Sequence, residues 1–368
     1  MSAMIALAAG GTGGHMFPAE ALAQELKRRG HTVLLVTDAR GDRYTKNFPY
    51  DHKLLISAGS PSIGGVLAKA IAAVKIVHGF AASLREFKRR GVDIAVGFGG
   101  YPSLPAMKSA AFMKIPYGIH EQNGVLGRAN RLLARQAAFI GHGFPELERL
   151  PAGVKGQVIE VGNPVRDAVK AVAGAAYPAL AADGPIHILV FGGSQGASVF
   201  ARHVPGAINA LPAEIKARLR IVQQVREADL LAARTAYESI GVNVEIEPFF
   251  SDLPEKIKAS HLVIARAGAS TVTEIATIGR PSILVPLPIA MDDHQAGNAK
   301  NLSNTGAADL VREDDQFAEN LSNTLRARLM MVDSLPQLAH KALNAVKPQA
   351  AEQVADLVDE VLAKRQTS

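Results

Sequence analysis

The sequence predicts an α/β protein with two doubly wound parallel sheets. The stretch MIALAAGGTGGH, residues 4–15, is a short apolar run followed by glycines and then a helical pattern, which indicates a strand, a loop and a helix. The same order recurs in IHILVFGGSQGA, residues 186–197. Apolar strands alternate with helices in both halves, as is typical of parallel sheets covered on both faces. We therefore predict two Rossmann-like domains that face each other across a cleft.

The chain length supports two domains, since one domain usually spans roughly 100–200 residues and this chain has 368. We predict a first domain over residues 1–165, a second over 166–345, and a C-terminal helix over 346–368 that packs back on the first domain. The stretch AVKAVAGAAYPALAADGP, residues 168–185, is rich in alanine with glycine and proline. That composition is typical of a connection between domains.

Composition excludes several kinds of site. The chain has no cysteine, so disulfides, thiolate metal sites and a cysteine nucleophile are excluded and a reducing compartment is expected. The apolar run at residues 3–9 has no basic residue before it and is about half a membrane span long, so neither a signal peptide nor a membrane anchor is expected. We therefore expect a cytoplasmic protein.

Positive charge is concentrated in the N-terminal half. Residues 1–167 carry 21 Lys and Arg against 12 Asp and Glu, whereas residues 168–368 carry 19 against 22. This asymmetry indicates an anionic partner of the first half, either nucleic acid or an acidic membrane surface. Solvated surface lysines explain the imbalance equally well.

The first glycine-rich loop departs from the dinucleotide fingerprint G-x-G-x-x-G. Counted from Gly11, the pattern continues with Gly13 and then Met16, so the third glycine is missing. Asp38 nevertheless ends the second strand where a ribose-binding acid stands in dinucleotide enzymes, and a nicotinamide oxidoreductase stays an alternative. Both loops offer backbone N–H groups at a helix N-terminus to a phosphate or a developing oxyanion. A tight turn without a ligand is the other interpretation.

His15 follows the first loop at the expected start of a helix. The ordinary pKa of histidine, near 6.5, suits removal of a proton from an attacking hydroxyl at neutral pH. Alternatively, the imidazole only hydrogen-bonds the loop.

Two later segments combine a helix start with polar side chains. In IARAGASTVTEIATIG, Thr271 and Glu274 have the spacing of a capping box, yet a carboxylate there also accepts hydrogen bonds from vicinal ribose hydroxyls. In MDDHQAGNAKN, Asp292 and Gln295 form a second candidate box. Alternatively, three polar side chains of this segment contact sugar hydroxyls, namely His294, Gln295 and Asn298. The residues alone do not decide between these interpretations.

No Asp-x-Asp pair and no H-E-x-x-H motif occurs in the chain. A divalent cation bound to a nucleotide diphosphate needs oxygen ligands of that kind. We therefore expect a metal-independent reaction without a cofactor, in which helix N-termini and Arg166 or Arg266 meet the phosphate charge.

The segment VLAKAIAAVKIVHGFAASLREFKRR, residues 66–90, carries six Lys or Arg and one Glu. Lys69 and Lys75 interrupt it too early for a membrane span, but a basic amphipathic helix can lie on an anionic leaflet. Alternatively, the apolar side chains at helical spacing face the core; they are Val77, Phe80, Leu84 and Phe87. The chain has no tryptophan, so interfacial anchoring would rest on aliphatic side chains, phenylalanine and basic residues.

Seven stretches together resemble one family. In order they are GGTGGH, GFGGYPSLPA, HEQNGVLGRANRLLA, VGNPVR, FGGSQGA, RAGASTVTE and DDHQAGNA. They are similar to motifs of the MurG family, the UDP-N-acetylglucosamine:lipid-linked muramyl-pentapeptide N-acetylglucosaminyltransferases of bacterial peptidoglycan synthesis. The resemblance runs from Met4 to about Gly306 and so covers most of the chain.

The resemblance implies a two-domain GT-B fold and inverting transfer of N-acetylglucosamine from its UDP donor to the muramyl 4-hydroxyl of the undecaprenyl-linked lipid I, giving lipid II. It implies that residues 1–165 bind the acceptor and the membrane and that residues 166–345 bind the donor. The partners so implied are UDP-N-acetylglucosamine, lipid I and an anionic membrane surface, with no nucleic acid. The location implied is the cytoplasmic face of the inner membrane, and the processes are cell wall biogenesis, cell shape and cell division.

The resemblance also assigns roles to site residues. Glu274 binds the ribose, Ser194 and the loop 193–196 bind the diphosphate, and the backbone of Phe249 and Phe250 binds the uracil. The full donor set comprises Thr12, Gly13, Asn123, Arg166, Ser194, Gln195, Phe249, Phe250, Arg266, Thr271, Glu274, His294, Gln295 and Asn298. The acceptor side is lined by Tyr101, His120 and Glu121 together with Thr12 and His15. His15 is the base candidate, and whether it removes the proton or only positions the acceptor is left open.

Three rival functions compete with this transfer. The first is the nicotinamide oxidoreductase. The second is another GT-B enzyme that uses a UDP-sugar, such as a glycolipid synthase or a UDP-N-acetylglucosamine epimerase. The third is a sensor that binds the donor without catalysis. Oligomeric state and protein partners are left open.

Overall fold

The computed structural model describes residues 2–57, 66–193, 197–288, 290 and 293–366. Contacts divide the chain into two compact units. The N-terminal unit comprises Met1–Arg166 together with Lys347–Ser368, and the C-terminal unit comprises Asp167–Val346. The chain therefore leaves the N-terminal unit once and returns to it for its last segment.

A seven-stranded parallel sheet forms the centre of the N-terminal unit. Its strands are β1 (Met4–Ala8), β2 (Thr32–Thr37), β3 (His52–Leu55), β4 (Ile94–Gly97), β5 (Tyr117–Glu121), β6 (Phe139–His142) and β7 (Gln157–Glu160). They lie side by side in the order β3-β2-β1-β4-β5-β6-β7. The helices between them are α1 (Gly13–Arg28), α2 (Val66–Arg90), α3 (Ser103–Phe112) and α4 (Arg128–Leu133).

Alternate residues of the central strand β1 face opposite sides of this sheet, because side chains alternate along a strand. Ile5 and Leu7 pack with residues of α1 into one apolar layer, whereas Ala6 and Ala8 join the layer on the other face. All four are fully buried. The strand is therefore apolar throughout, as a parallel sheet covered on both faces requires.

The C-terminal unit repeats the plan with a six-stranded parallel sheet in the order β10-β9-β8-β11-β12-β13. Its strands are β8 (Ile186–Phe191), β9 (Leu219–Gln224), β10 (Asn243–Glu247), β11 (Leu262–Arg266), β12 (Ser282–Val285) and β13 (Ala308–Leu310). Its helices are α5 (Asp167–Lys170), α6 (Ser198–Asn209), α7 (Ala213–Arg218), α8 (Leu230–Ser239), α9 (Leu253–Ala259), α10 (Ala269–Ile278), α11 (His294–Ser303), α12 (Phe317–Met330) and α13 (Leu335–Leu343). The prediction of two Rossmann-like, doubly wound parallel domains is confirmed.

The last helix, α14 (Ala350–Gln366), packs on α1 in the N-terminal unit. Nη1 of Arg29 donates hydrogen bonds to Asp356 and Asp359, each at 2.8 Å. Nε2 of His31 lies 3.0 Å from Asp359. Polar and apolar contacts together therefore hold the returning segment. The apolar contacts include those of the fully buried Val358.

Arg280 is fully buried in the C-terminal unit and donates to backbone carbonyl oxygens. The oxygens are those of Lys258 at 2.6 Å, Ala175 at 3.1 Å and Ala176 at 3.0 Å, with two more in the last turn of α10 and at its end. Burial lowers the pKa of Arg280, while carbonyl groups at helix C-termini carry partial negative charge that favours the cation. The guanidinium thereby fixes the segment that leads from α5 to β8.

Candidate functional site

The first glycine-rich loop joins β1 to α1 and is held by Asp38. The Asp38 carboxylate is buried, and its Oδ1 atom accepts hydrogen bonds from the backbone N–H groups of Gly11 at 3.0 Å and Gly41 at 2.8 Å. Gly11 has φ of +85°, a conformation that favours glycine. Asp38 therefore shapes the loop from within, instead of offering its carboxylate to a ribose at the end of β2.

His15 lies in the first turn of α1, whose N-cap is Thr12 and whose first residue is Gly13. Its Nδ1 atom is 3.1 Å from the carbonyl oxygen of Gly10. Because a carbonyl oxygen can only accept, Nδ1 carries the proton and the lone pair of the neutral ring is on Nε2. A Cβ added to Gly99 would come within 3.2 Å of Nε2. The loop therefore fixes both the tautomer and the orientation of the imidazole.

The loop between β4 and α3 packs directly on the first glycine-rich loop. Gly100 has φ of +75°, and an added Cβ would come 2.8 Å from the carbonyl oxygen of Gly10. Glycine thus permits the close approach of the two backbones. Tyr101 is the next residue and is half-buried. Because Gly100 contacts Gly10, the segment of Tyr101 lies next to the loop that precedes His15.

His120 is fully buried on β5. Its Nε2 atom donates to the carbonyl oxygen of Gly162 at 2.9 Å, and its Nδ1 atom accepts from Nε2 of Gln122 at 3.0 Å. Burial lowers the pKa of His120 to about 4, because desolvation disfavours the charged ring. The neutral imidazole therefore links the segment after β5 to the segment after β7.

Glu121 is also buried, and its carboxylate orders the loop that follows β5. Oε1 accepts from the backbone N–H of Asn123 at 3.1 Å and from its side-chain amide at 3.0 Å. Oε2 accepts from the N–H of Gly127 at 2.9 Å and from the amide of Asn130 at 2.8 Å. These contacts of Glu121 lie inside the N-terminal unit, and its place on the acceptor side stays a prediction, as does that of His120.

The guanidinium of Arg166 stacks on the ring of Phe17 in α1, with 3.8 Å between Cζ and the ring centroid. Phe17 in turn packs edge-on against Tyr44 at 5.7 Å between centroids. A guanidinium over an aromatic face keeps its charge and holds its N–H groups in a fixed plane. The last residue of the first segment of the N-terminal unit is thereby anchored on α1.

The second glycine-rich loop follows β8 in the C-terminal unit. Gly193 has φ of +77°, and α6 begins at Ser198 with Ala197 as its N-cap. The predicted site residues Ser194 and Gln195 lie outside the described residues. The first N–H groups of this 12-residue helix have no partner within the helix, which is the general basis of anion sites at helix N-termini.

The predicted uracil segment follows the carboxyl end of β10. Phe250 is buried, and Nζ of Lys256 lies 4.9 Å from its ring centroid. Phe249 is exposed. The backbone of both residues therefore follows a strand at the edge where ligands bind in parallel α/β sheets.

Glu274 is a buried residue in the second turn of α10. The helix begins at Ala269, and its N-cap is Gly268, which makes no side-chain cap. The predicted capping box of Thr271 and Glu274 is therefore wrong, because glycine takes the cap position and Thr271 lies inside the first turn.

The sugar segment after β12 leads into α11, which begins at His294. Its N-cap is Asp293, a non-glycine residue with φ of +54° and no side-chain cap. The predicted capping box of Asp292 and Gln295 is therefore wrong as well, and Asp292 lies outside the described residues. Oε1 of Gln295 instead accepts from the backbone N–H of Leu287 at 3.0 Å.

Two buried side chains tie the sugar segment to β11. The amide of Asn298 donates to the carbonyl oxygen of Ala267 at 3.1 Å. Nη1 of Arg266 donates to two carbonyl oxygens at the end of β12, at 3.3 and 3.2 Å. Nη2 of Arg266 lies 2.6 Å from Oε2 of Glu313. The guanidinium that was predicted to meet phosphate charge is thus paired with a carboxylate of its own unit.

Comparison with known proteins decides the family. A model of the glycosyltransferase family 28 N-terminal domain matches residues 5–141, and a model of the C-terminal domain of that family matches residues 187–361. A protein of Maricaulis maris (strain MCS10) is named UDP-N-acetylglucosamine--N-acetylmuramyl-(pentapeptide) pyrophosphoryl-undecaprenol N-acetylglucosamine transferase. It is 46% identical over 96% of this chain and 96% of its own length. A protein of the same name from Methylobacterium sp. (strain 4-46) is 46% identical over 97% of this chain and 96% of its own.

The crystal structure of Acinetobacter baumannii MurG is similar to this chain with a TM-score of 0.77 and 33% identity, covering 97% of this chain and 99% of that one. The chain belongs to the MurG family. Its two parallel-sheet domains therefore form the GT-B fold of MurG-family glycosyltransferases.

Helix α2 of this MurG-family chain buries only part of its apolar face. Phe87 and Ser83 are fully buried, Phe80 and Leu84 are half-buried, and Val77 is exposed. The interpretation that all the apolar side chains at helical spacing face the core therefore holds for Phe87 but is wrong for Val77.

Several apolar side chains on α2 and α3 stay accessible to solvent. The exposed members are Ile71, Val74, Val77 and Phe112, and the ring of Phe80 packs edge-on against that of Phe112 at 5.8 Å. We call these five residues the α2–α3 apolar surface. Of the helices in the described ranges, none is long and apolar enough to cross a bilayer.

Sequence reasoning missed two polar residues of the MurG-family C-terminal unit, Gln224 and Glu313. Gln224 is the last residue of β9, and Glu313 follows β13. The signal that could have found them is their place after strands, since the carboxyl ends of parallel strands share one edge of the sheet.

Proposed function

We propose that this MurG-family chain transfers N-acetylglucosamine from UDP-N-acetylglucosamine to the muramyl 4-hydroxyl of undecaprenyl-pyrophosphoryl-MurNAc-pentapeptide, with inversion at the anomeric carbon. The observation that carries the proposal is the 46% identity, over 96% and 97% of this chain, to two transferases named for this reaction. Such transfer converts lipid I into lipid II and serves cell wall biogenesis, cell shape and cell division.

In this proposal Nε2 of His15 is the general base. The acceptor hydroxyl gives its proton to Nε2, its oxygen attacks the anomeric carbon, and the bond from that carbon to the β-phosphate oxygen breaks to release UDP. The hydrogen bond from Nδ1 to the carbonyl oxygen of Gly10 supports the role, because it leaves the basic lone pair on Nε2 and stabilises the imidazolium that forms.

The departing UDP gathers negative charge as the transition state acquires oxocarbenium character. We assign its stabilisation to the N–H groups at the start of α6, with Arg166 as the cation that the family resemblance gives to the phosphates. Donors already aimed at a developing charge lower the barrier without reorganisation. The fixed plane of the stacked Arg166 guanidinium supports this assignment.

We assign the rest of the donor to the C-terminal unit. The buried Glu274 carboxylate accepts hydrogen bonds from the ribose hydroxyls, and His294, Gln295 and Asn298 contact the amino sugar. The bonds from Leu287 to Gln295 and from Asn298 to Ala267 support this assignment, since a held amide gives a more selective contact than a mobile one.

We also propose that the α2–α3 apolar surface docks the protein on an anionic leaflet at the cytoplasmic face of the inner membrane. Exposed apolar side chains beside Lys75, which is also exposed, have the character of an interfacial helix,. The excess of Lys and Arg in residues 1–167 supports an anionic surface as the partner,.

The transfer proposal is tested with purified protein, UDP-N-acetylglucosamine labelled in the sugar, and a short-chain lipid I analogue in buffer with EDTA. We expect a β-linked disaccharide product and an equal amount of UDP. EDTA is included because the sequence lacks an Asp-x-Asp pair, the kind of oxygen ligand set that a metal-dependent transferase would use,. UDP release with a free sugar and no disaccharide would point to hydrolysis or to the epimerase rival.

Binding measurements separate the remaining rivals. Calorimetric titration with NADPH and with UDP-N-acetylglucosamine is expected to show binding of the second ligand alone. The reverse result would favour the oxidoreductase, and donor binding without any disaccharide would favour the silent sensor.

A further inference from the structure

Gln224 connects two loops of the donor unit through its side-chain amide. It is the last residue of β9 and is buried, with 6% of its surface exposed. Its Oε1 atom accepts from the backbone N–H of Gly192 at 3.2 Å, and its Nε2 atom donates to the carbonyl oxygen of Pro248 at 3.2 Å. One amide therefore spans from the end of β8 to the end of β10.

The orientation of this amide follows from its partners. A backbone N–H can only donate and a carbonyl oxygen can only accept, so the oxygen of Gln224 must face Gly192 and its nitrogen must face Pro248. Both partners stand at functional loops: Gly192 opens the second glycine-rich loop, and Pro248 precedes Phe249. The bridge therefore reaches the diphosphate loop on one side and the uracil segment on the other.

Sheet order explains how a residue of β9 can make the bridge. β9 lies between β8 and β10 in the parallel sheet, so its carboxyl end is the point between the two loops. The ladder continues beyond the strands, since the N–H of Val225 donates to the carbonyl oxygen of Glu247 at 3.0 Å. Backbone pairing thus fixes Gln224 while its side chain fixes the loops.

We propose that Gln224 is a positioning residue that sets the spacing between the base-binding and diphosphate-binding loops of the donor site. The inference rests on the proposed function, because it assumes that a uridine diphosphate spans these two loops. A ligand that contacts both loops binds more tightly when the distance between them is already fixed, because the loops then need less ordering on binding. A ligand that touches one loop gains little from it.

The test compares Gln224→Met with Tyr237→Phe, each measured against the wild-type protein. Methionine has nearly the length of glutamine but loses both hydrogen bonds. Tyr237→Phe removes the hydrogen bond to Gln223, the neighbouring residue of β9, whose side chain faces the other side of the sheet. The control thus loses a buried polar contact on the same strand without touching either loop.

Binding of uridine and of UDP is measured by ligand-observed NMR and calorimetry. We expect Gln224→Met to weaken UDP binding about tenfold and to leave uridine binding within about twofold, with Tyr237→Phe unchanged for both ligands. Transfer assays should show the same rise in KM for the UDP-sugar with KM for the acceptor unchanged. Equal losses for uridine and UDP, or no loss for either, would overturn the positioning role.

The wild-type protein supplies the check on the underlying function. If it binds UDP and transfers sugar while Gln224→Met behaves like wild type, the positioning role alone fails. If wild type binds no UDP, the proposed function fails and the positioning role fails with it.

Discussion

The Nδ1 atom of His15 lies 3.1 Å from the carbonyl oxygen of Gly10. This contact decides which nitrogen of the neutral ring is basic, and in the proposed mechanism it makes the first glycine-rich loop part of the catalytic apparatus. We expect His15→Ala to lower kcat about 10²- to 10⁴-fold, the usual contribution of a general base. The affinity for UDP, measured by calorimetry, should stay within about twofold, since the base acts on the acceptor hydroxyl.

His340→Ala provides a matched control, because His340 is an exposed histidine of the C-terminal unit. It should leave both kcat and UDP affinity unchanged. Undiminished turnover of His15→Ala would remove His15 from the mechanism.

The ion pair of Arg266 with Glu313, at 2.6 Å, predicts a stability effect. Arg266 is buried, so Glu313→Gln leaves a cation in a poorly solvated site without its carboxylate. Since Glu313 keeps partial solvent contact, we expect a loss of about 1–2 kcal/mol in the free energy of unfolding, measured in urea. Asp315→Asn, an exposed change nearby on the chain, should alter it by less than about 0.5 kcal/mol. Equal effects of the two changes would argue against the ion pair.

The burial of His120 predicts a pH dependence of stability. Its pKa is about 4 in the folded protein against an ordinary 6.5, so the unfolded chain binds more protons between these values. The contribution of this histidine to the free energy of unfolding is therefore fully present above pH 6.5. It is lost as the pH falls, and the loss between pH 7 and pH 5 is about 2 kcal/mol.

Urea unfolding of wild type and of His120→Asn at pH 7 and pH 5 measures this loss. From pH 7 to pH 5 the unfolding free energy should fall in both proteins, and the fall should be about 2 kcal/mol smaller in the variant than in wild type. Burial also lowers the pKa of His187 and of His261, and both remain in the variant. The same pH dependence in both proteins would contradict a buried neutral His120.

The α2–α3 apolar surface predicts binding to anionic vesicles. Val74→Asp with Val77→Asp places two charges on exposed positions of α2, where the fold tolerates them but a membrane interface does not. We expect sedimentation with phosphatidylglycerol vesicles to fall about tenfold, while transfer to a short-chain soluble acceptor continues.

Leu231→Asp is the control for the vesicle experiment, since Leu231 is an exposed apolar residue on α8 of the C-terminal unit. It should sediment with vesicles as wild type does. Equal losses in both variants, or no loss in the double variant, would count against this docking surface.

The strand, loop and helix order around both glycine-rich loops could be predicted from the sequence. Apolar runs such as residues 4–8 and 186–191 are buried on both faces, and their periodicity differs clearly from that of the helices that follow. Two sheets and the fold class follow from that local signal, because parallel strands need helical crossovers.

Helix caps were predicted less well. Thr271 and Glu274 have capping-box spacing, yet Gly268 is the N-cap of α10. Several neighbouring residues in this segment could serve as the helix N-cap, and a rule based on spacing alone cannot choose among them. Tertiary packing selects where the helix starts.

Long-range contacts were out of reach of the sequence. Asp38 accepts a hydrogen bond from Gly11, which is 27 residues away in the sequence. Gln224 accepts one from Gly192, which is 32 residues away. His120 and Glu121 are buried and form hydrogen bonds within their own unit; their motif did not reveal these partners, and their place on the acceptor side stays a prediction. Such partners depend on which strands lie side by side, and that order is set by the whole fold.

Transfer of labelled sugar to the lipid I analogue tests the central claim most directly. With UDP-N-acetylglucosamine and the analogue in EDTA, we predict a β-linked disaccharide in amounts equal to the UDP released. Product that disappears on chelation, or UDP released without disaccharide, would contradict an inverting transferase that uses its own backbone dipoles and basic side chains.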